Sequence, residues 1–154
     1  MKLIGRVVFA IIIVIILNTS VLLTIFAIDS YQGEVGGKSD AIQSILDGWC
    51  EEYGISQPVI FVGYKDMDDG FGSILGLCCH YDGGFSTIML GGRFEDRPLG
   101  WLEKSILWHE FCHANAYLED MVSNGHDIHF YEYLCRKPNY VLGDYYACLL
   151  YEFM

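Results

Sequence analysis

The apolar residues of this chain fall in one long block followed by short, punctuated runs. From Val7 to Ile28 the sequence VVFAIIIVIILNTSVLLTIFAI continues for 22 residues without a charge, interrupted only by Asn18, Thr19, Ser20 and Thr24. As a helix it would rise about 33 Å, the thickness of a hydrocarbon core, so the pattern predicts a transmembrane helix or signal anchor over residues 1–28. Lys2 and Arg6 precede the run, whereas Asp29, Glu34 and Asp40 follow it against Lys38 alone. The positive-inside rule then puts the N-terminus in the cytoplasm and the globular part outside it, as a single-pass membrane protein. Secretion after signal-peptide cleavage is the alternative. The apolar run resumes after Ser20, however, and no A-x-A-like pair of small residues marks a cleavage site.

Beyond the block, residues 29–38 read as a Gly-rich linker and residues 39–154 as one globular domain. Ser39 or Asp40 can cap a helix whose apolar positions Ile42, Ile45, Leu46 and Trp49 recur at helical spacing and which ends before Gly54. Pro58–Tyr64 (PVIFVGY) predicts a strand, KDMDDGFG a turn, Ser73–Cys79 a second strand, and the Asp82-Gly83-Gly84 turn leads to a third at Phe85–Leu90. Gly91–Pro98 is loop. Leu99 to about Glu119 then carries a long helical pattern with Pro98 at its mouth. Lys137–Met154, with Tyr140, Tyr145, Tyr146, Leu149, Leu150, Tyr151 and Phe153, suggests a last helix or strand packed on the domain. The expected fold class is therefore α+β, a short three-stranded sheet packed on helices.

Composition narrows the function classes. With 15% aromatic residues, the 154-residue chain can bury enough surface to fold. Its 20 acidic residues against 9 Lys and Arg leave a formal charge of −11, which makes nucleic acid an unexpected partner. Six cysteines, at positions 50, 78, 79, 112, 135 and 148, would suit disulfides in an exported domain, with free buried thiols as the alternative. No C-x-x-C occurs, which argues against a zinc ribbon or a thioredoxin-type redox motif.

The long helix carries the candidate chemistry. His109, Glu110, Phe111, Cys112 and His113 spell HExxH. Two histidines four residues apart project from one helix face toward a single metal ion, and the intervening glutamate, rotated by about 100°, can reach a water beside that ion. Metal-assisted hydrolysis needs this set, with zinc polarising the scissile carbonyl and the carboxylate moving the proton. Leu102, Ile106, His109, His113 and Ala116 share one stripe, so the histidines are expected to face the interior, where unpartnered imidazoles would be costly.

A zinc hydrolase requires a third protein ligand. The extended HExxHxxGxxH pattern fails, because its glycine and third histidine would fall on Ala116 and Glu119. Glu119 and Glu132 remain weak candidates, whereas His126 and His129, in Gly125-His126-Asp127-Ile128-His129-Phe130, follow a short polar loop that lets the chain turn back. One of those two histidines is the expected ligand. Tyr117, Tyr131, Tyr133 and His129 are available to stabilise an oxyanion, without a signal that selects among them. His80, at a strand end with no partner pattern, reads as surface or core packing.

In this order of elements the chain resembles the SprT-like metalloproteases. The resemblance rests on Leu75-Gly76-Leu77-Cys78, the strand Ser86-Thr87-Ile88-Met89-Leu90, the helix motif His109-Glu110-Phe111-Cys112-His113-Ala114, and Gly125-His126-Asp127-Ile128-His129-Phe130. It covers about Ser39 to Lys137. It implies a small zincin-like fold holding one Zn2+ per chain, with His109, His113 and His126 as ligands, Glu110 as general base, and a peptide or protein as substrate. Asp127 and Ile128 stand where the family has Gly-Pro, and no C-terminal zinc ribbon is present. A substrate peptide would lie extended along the sheet, with Ser86–Leu90 as the expected pairing strand. The reading is thus a membrane-anchored zinc metallopeptidase; the competing class is a noncatalytic, zinc-stabilised binding module with an acidic partner surface.

Overall fold

The computed structural model describes residues 9, 11–17, 19–20, 38–67, 74–120, 126 and 128–152. Helix α1 (Lys38–Tyr53) is followed by strands β1 (Val59–Lys65), β2 (Gly76–Tyr81) and β3 (Phe85–Gly91), a 3-10 turn at Gly92–Phe94, and helices α2 (Trp101–Asp120), α3 (Ile128–Leu134) and α4 (Pro138–Glu152). The α+β core with its three-stranded sheet is as expected. Boundaries move by one to three residues. The second strand starts three residues later and ends two later, taking in His80 and Tyr81, and the last element is a helix rather than a strand. Helix α3 had no counterpart in the expected elements.

The expected membrane-spanning helix over Val7–Ile28 is not met. Among the described residues no helix is long and apolar enough to cross a membrane. The transmembrane part of the expected fold class and the single-pass, N-terminus-inside placement are corrected accordingly. The rest of the block, like most of the Gly-rich linker and of the KDMDDGFG turn, lies outside the described residues.

The sheet order is β1-β3-β2, with β1 parallel and β2 antiparallel to β3. One face of the sheet packs on the helices. Ile42, Leu46 and Trp49 form the buried stripe of α1, and Trp49 stacks edge-on against Trp108 of α2 at 5.0 Å and lies 5.3 Å from Phe111. Val59, Ile88 and Leu90 from the sheet and Leu102, Ile106 and Leu107 from α2 complete a core that is at most 2% exposed at each of these positions. Helix α1 ends where Ile55 N–H donates to the Cys50 carbonyl and Gly54 N–H to that of Glu51, a pair of bonds that satisfies the last turn.

The start of α1 differs from expectation for a physical reason. Lys38, assigned to the linker by sequence, is only 6% exposed. Its Nζ lies 2.9 Å from Glu103 Oε2 and donates to the carbonyls of Phe94 and Arg97, while the Tyr64 hydroxyl donates to Glu103 Oε1 at 2.7 Å. A buried charge persists only when paired and hydrogen-bonded in this way. The network ties α1, β1, the 3-10 turn and α2 together at one end of the domain. All six cysteines carry free thiols, so the disulfide alternative is not realised.

Candidate metal centre

Helix α2 presents His109 and His113 one turn apart, and the segment leading into α3 brings His126 to them. The three ring centroids are 5.0 to 5.1 Å from one another. Nε2 of His109 and Nε2 of His126 are 3.1 Å apart, and one ligand atom from each of the three residues lies within 4.8 Å of the others. Tetrahedral zinc with Zn–N bonds of about 2.0–2.1 Å spaces its ligand atoms by about 3.3 Å, so the donor set matches such an ion in type, the His109–His126 pair matches it in spacing, and the wider separation within the group would close by about 1–1.5 Å around an ion. His129 and Glu132 stand apart from this group. Both are exposed, and they face each other at 3.9 Å one turn apart on α3. The side chain of Glu119 lies outside the described residues.

Phe130 forms the floor. It is 1% exposed and its ring lies 4.4 Å from that of His113, 4.6 Å from His126 and 5.0 Å from His109. One aromatic face thus restrains all three imidazoles while adding no donor that competes with a metal. Sequence signalled Phe130 only as the last letter of a motif, without this role.

No family model, curated protein or solved structure matches the chain. The chemistry of the centre therefore rests on its own residues.

Asp144 of α4 supplies an orienting contact that sequence did not suggest, its Oδ2 lying 3.0 Å from His109 Nδ1. A carboxylate on Nδ1 fixes the tautomer that leaves Nε2 to face a metal, the usual outer-shell arrangement for a ligating histidine. Gly143 makes the approach feasible, because a Cβ there would lie 2.8 Å from Ser105 Cβ and 3.0 Å from the Trp101 ring, both on α2. Burial opposes protonation of His109, but the hydrogen bond and charge of Asp144, with the charge of Glu110, outweigh it and hold the imidazole above its ordinary range. His126 is shifted the other way, lowered by burial and by the charge of His109.

Glu110 is 7% exposed and occupies a slot between α2 and β2. Gly76 makes that slot. A Cβ at this position would lie 2.7 Å from both Cγ and Oε1 of Glu110 and 2.9 Å from Ile106 Cγ2. Burial pushes the Glu110 carboxyl up to about 7, with His109 and the backbone N–H of Cys78 pulling the other way. A carboxylate with a pKa near neutrality is suited to accept a proton and give it back, and a cation held by the histidines would favour its ionised form.

These groups border one cleft of about 250 Å³, whose opposite wall is Gly76, Leu77, Cys78 and His80 of β2. Strand β2 is an edge of the sheet, whereas β3 lies between its two neighbours. Ser86–Leu90 therefore has both backbone edges taken up within the sheet, and the expected pairing of a substrate with that strand is not met. Cys112, the other thiol near the motif, is fully buried and pushed up by that burial, so it behaves as core filling.

Proposed function

We propose that this chain is a zinc-dependent metallopeptidase of the SprT-like kind, which hydrolyses peptide bonds with Glu110 as general base. The observation that carries the reading is the convergence of His109, His113 and His126 on one point beside a buried Glu110, at the wall of a cleft formed by an edge strand. His109, His113 and His126 would hold the metal and leave a fourth position for water or substrate. Zinc bound there supplies a lowered water pKa, about 7, and polarises the scissile carbonyl.

The protein's own groups do the rest. Phe130 and Asp144 hold the imidazoles in orientation. Glu110 accepts the proton of the attacking water as its oxygen adds to the carbonyl carbon, and then delivers that proton to the nitrogen of the leaving amine, so that the C–N bond breaks as the carbonyl reforms. A substrate in extended conformation adds to the outer edge of β2, which would bring a carbonyl over the centre. A peptide is the substrate class that suits such an edge, because its backbone amides complete the strand. The acidic surface, at a formal charge of −11, disfavours polyanions.

The test is metal content and peptide hydrolysis of the full chain beside Glu110→Gln and His126→Ala. The expected result is about one zinc per chain, retained in Glu110→Gln and reduced in His126→Ala, with hydrolysis of labelled casein lost in both. Zinc bound without hydrolysis in any form would point to the noncatalytic module instead. Zinc uptake indifferent to His126 would remove the three-histidine site.

A further inference from the structure

Side chains alternate along a strand, so Gly76, Cys78 and His80 of β2 project to one face of the sheet. The first two hold Glu110, by leaving room for it and by donating a backbone N–H. His80 comes next on that face, about 6.6 Å farther along the strand. It borders the same cleft as Glu110 and the three histidines. Its ring is set by a buried partner: Nδ1 lies 3.0 Å from Oγ of Ser86, which is 0% exposed and is the residue paired with His80 across the β2–β3 ladder. Two strands in register thus orient an imidazole whose Nε2 edge is directed away from Ser86.

We propose that His80 is a catalytic residue of this cleft, its Nε2–H donating to the carbonyl oxygen of the scissile peptide as negative charge develops there. This rests on the peptidase reading above and adds to it the electrophilic group that sequence left unassigned. In this role the Ser86 hydroxyl donates to Nδ1 across the 3.0 Å contact, leaving the ring proton on Nε2. Burial lowers the His80 pKa, so the neutral ring that this geometry requires is the favoured form. The other described candidates stand elsewhere. His129 faces Glu132, Tyr133 lies buried beneath the Arg136 guanidinium at 4.0 Å, and Tyr131 does not border the cleft. A donor held on a strand also requires no reorganisation when the charge appears, which is the condition for effective oxyanion stabilisation.

Two measurements test it. Long-range proton–nitrogen NMR of the metal-free full chain reads the His80 tautomer directly. The Nε2–H form is expected, and the Nδ1–H form would overturn the proposal whatever the activity. For the zinc-loaded chain, kinetics on a fluorescence-quenched peptide taken from a casein cleavage site compare His80→Leu with His80→Gln. Loss of one preorganised donor should lower kcat about 10²- to 10³-fold in His80→Leu with KM and zinc content little changed, and His80→Gln, which keeps an N–H, should recover part of it. Unchanged kcat in both variants overturns the role of His80 and leaves the peptidase standing. A wild-type chain as inactive as Glu110→Gln overturns the peptidase, and the role of His80 with it. Should His80→Leu fail to fold, the His80→Gln kinetics and the tautomer decide.

Discussion

Asp144 Oδ2 and His109 Nδ1 lie 3.0 Å apart, linking the C-terminal helix to the first histidine of the motif across 35 positions of sequence. The contact makes α4 part of the candidate metal centre as well as a cover for the core, to which it contributes Tyr146 and Ala147. Asp144→Asn keeps the size of the side chain and removes its charge. Zinc affinity is expected to fall about 10- to 100-fold, read by competition with a chromogenic chelator. Equal affinity would reduce the pair to a surface contact.

Gly76 and Glu110 define a second close approach. Gly76→Ala would set a methyl group 2.7 Å from Glu110 Cγ and Oε1. Relief requires either Glu110 or the strand to shift, at a cost of about 1–3 kcal/mol. Urea unfolding should show that loss. Hydrolysis should fall by a larger factor than zinc content, because the base moves while the histidines stay.

The buried pair of Lys38 and Glu103 is a stability element remote from the cleft. Lys38→Met leaves the Glu103 carboxylate, 1% exposed, without its cation. A loss of about 3–5 kcal/mol is expected in denaturant unfolding, and Lys38→Met combined with Glu103→Gln should regain part of it. A loss below about 1 kcal/mol for the single variant would show that the network relaxes into water.

Glu52 and Lys137 join the end of α1 to the turn before α4, with Lys137 Nζ 2.9 Å from Glu52 Oε2. The hydrogen bond from Lys137 lowers the Glu52 pKa below its ordinary 4.5. A depressed carboxylate pKa contributes stability above the unfolded value, and that contribution disappears as pH falls through the folded one. Because Glu52 is half exposed, the contribution is small, about 0.2–1 kcal/mol. Glu52→Gln should therefore destabilise slightly at pH 7 and not at pH 3, and the difference should shrink in high salt. A difference independent of pH would exclude the ion pair as its source.

Much of the fold is legible along the chain, because its signals are local. Apolar spacing at Ile42, Leu46 and Trp49 marks α1, turn residues separate the strands, and His109 and His113 share a face simply because four residues make one helical turn. The span over Val7–Ile28 shows the weakness of such signals. An uncharged run meets the length criterion for a membrane helix, yet among the described residues no helix does. Lys38 shows another. After a Gly-rich run a lone lysine reads as solvated, and it is buried because Glu103, 65 positions on, supplies a counter-charge.

Within the centre the division follows sequence distance. HExxH and the nearby choice between His126 and His129 could be read from spacing, and the preference for His126 from resemblance. That His129 turns away to Glu132, that Phe130 underlies all three rings, that Asp144 backs His109, and that Gly76 and His80 border the same cleft depend on how α2, α3, α4 and β2 pack. Which strand borders the cleft as an edge belongs to the same class, since three strands with one turn pattern can be ordered in several ways and the order β1-β3-β2 leaves β2 outermost. Periodicity along a chain specifies which residues share a face. Which faces meet is set by burial of apolar surface and pairing of buried polar groups between segments far apart in sequence, and these leave no local pattern to read.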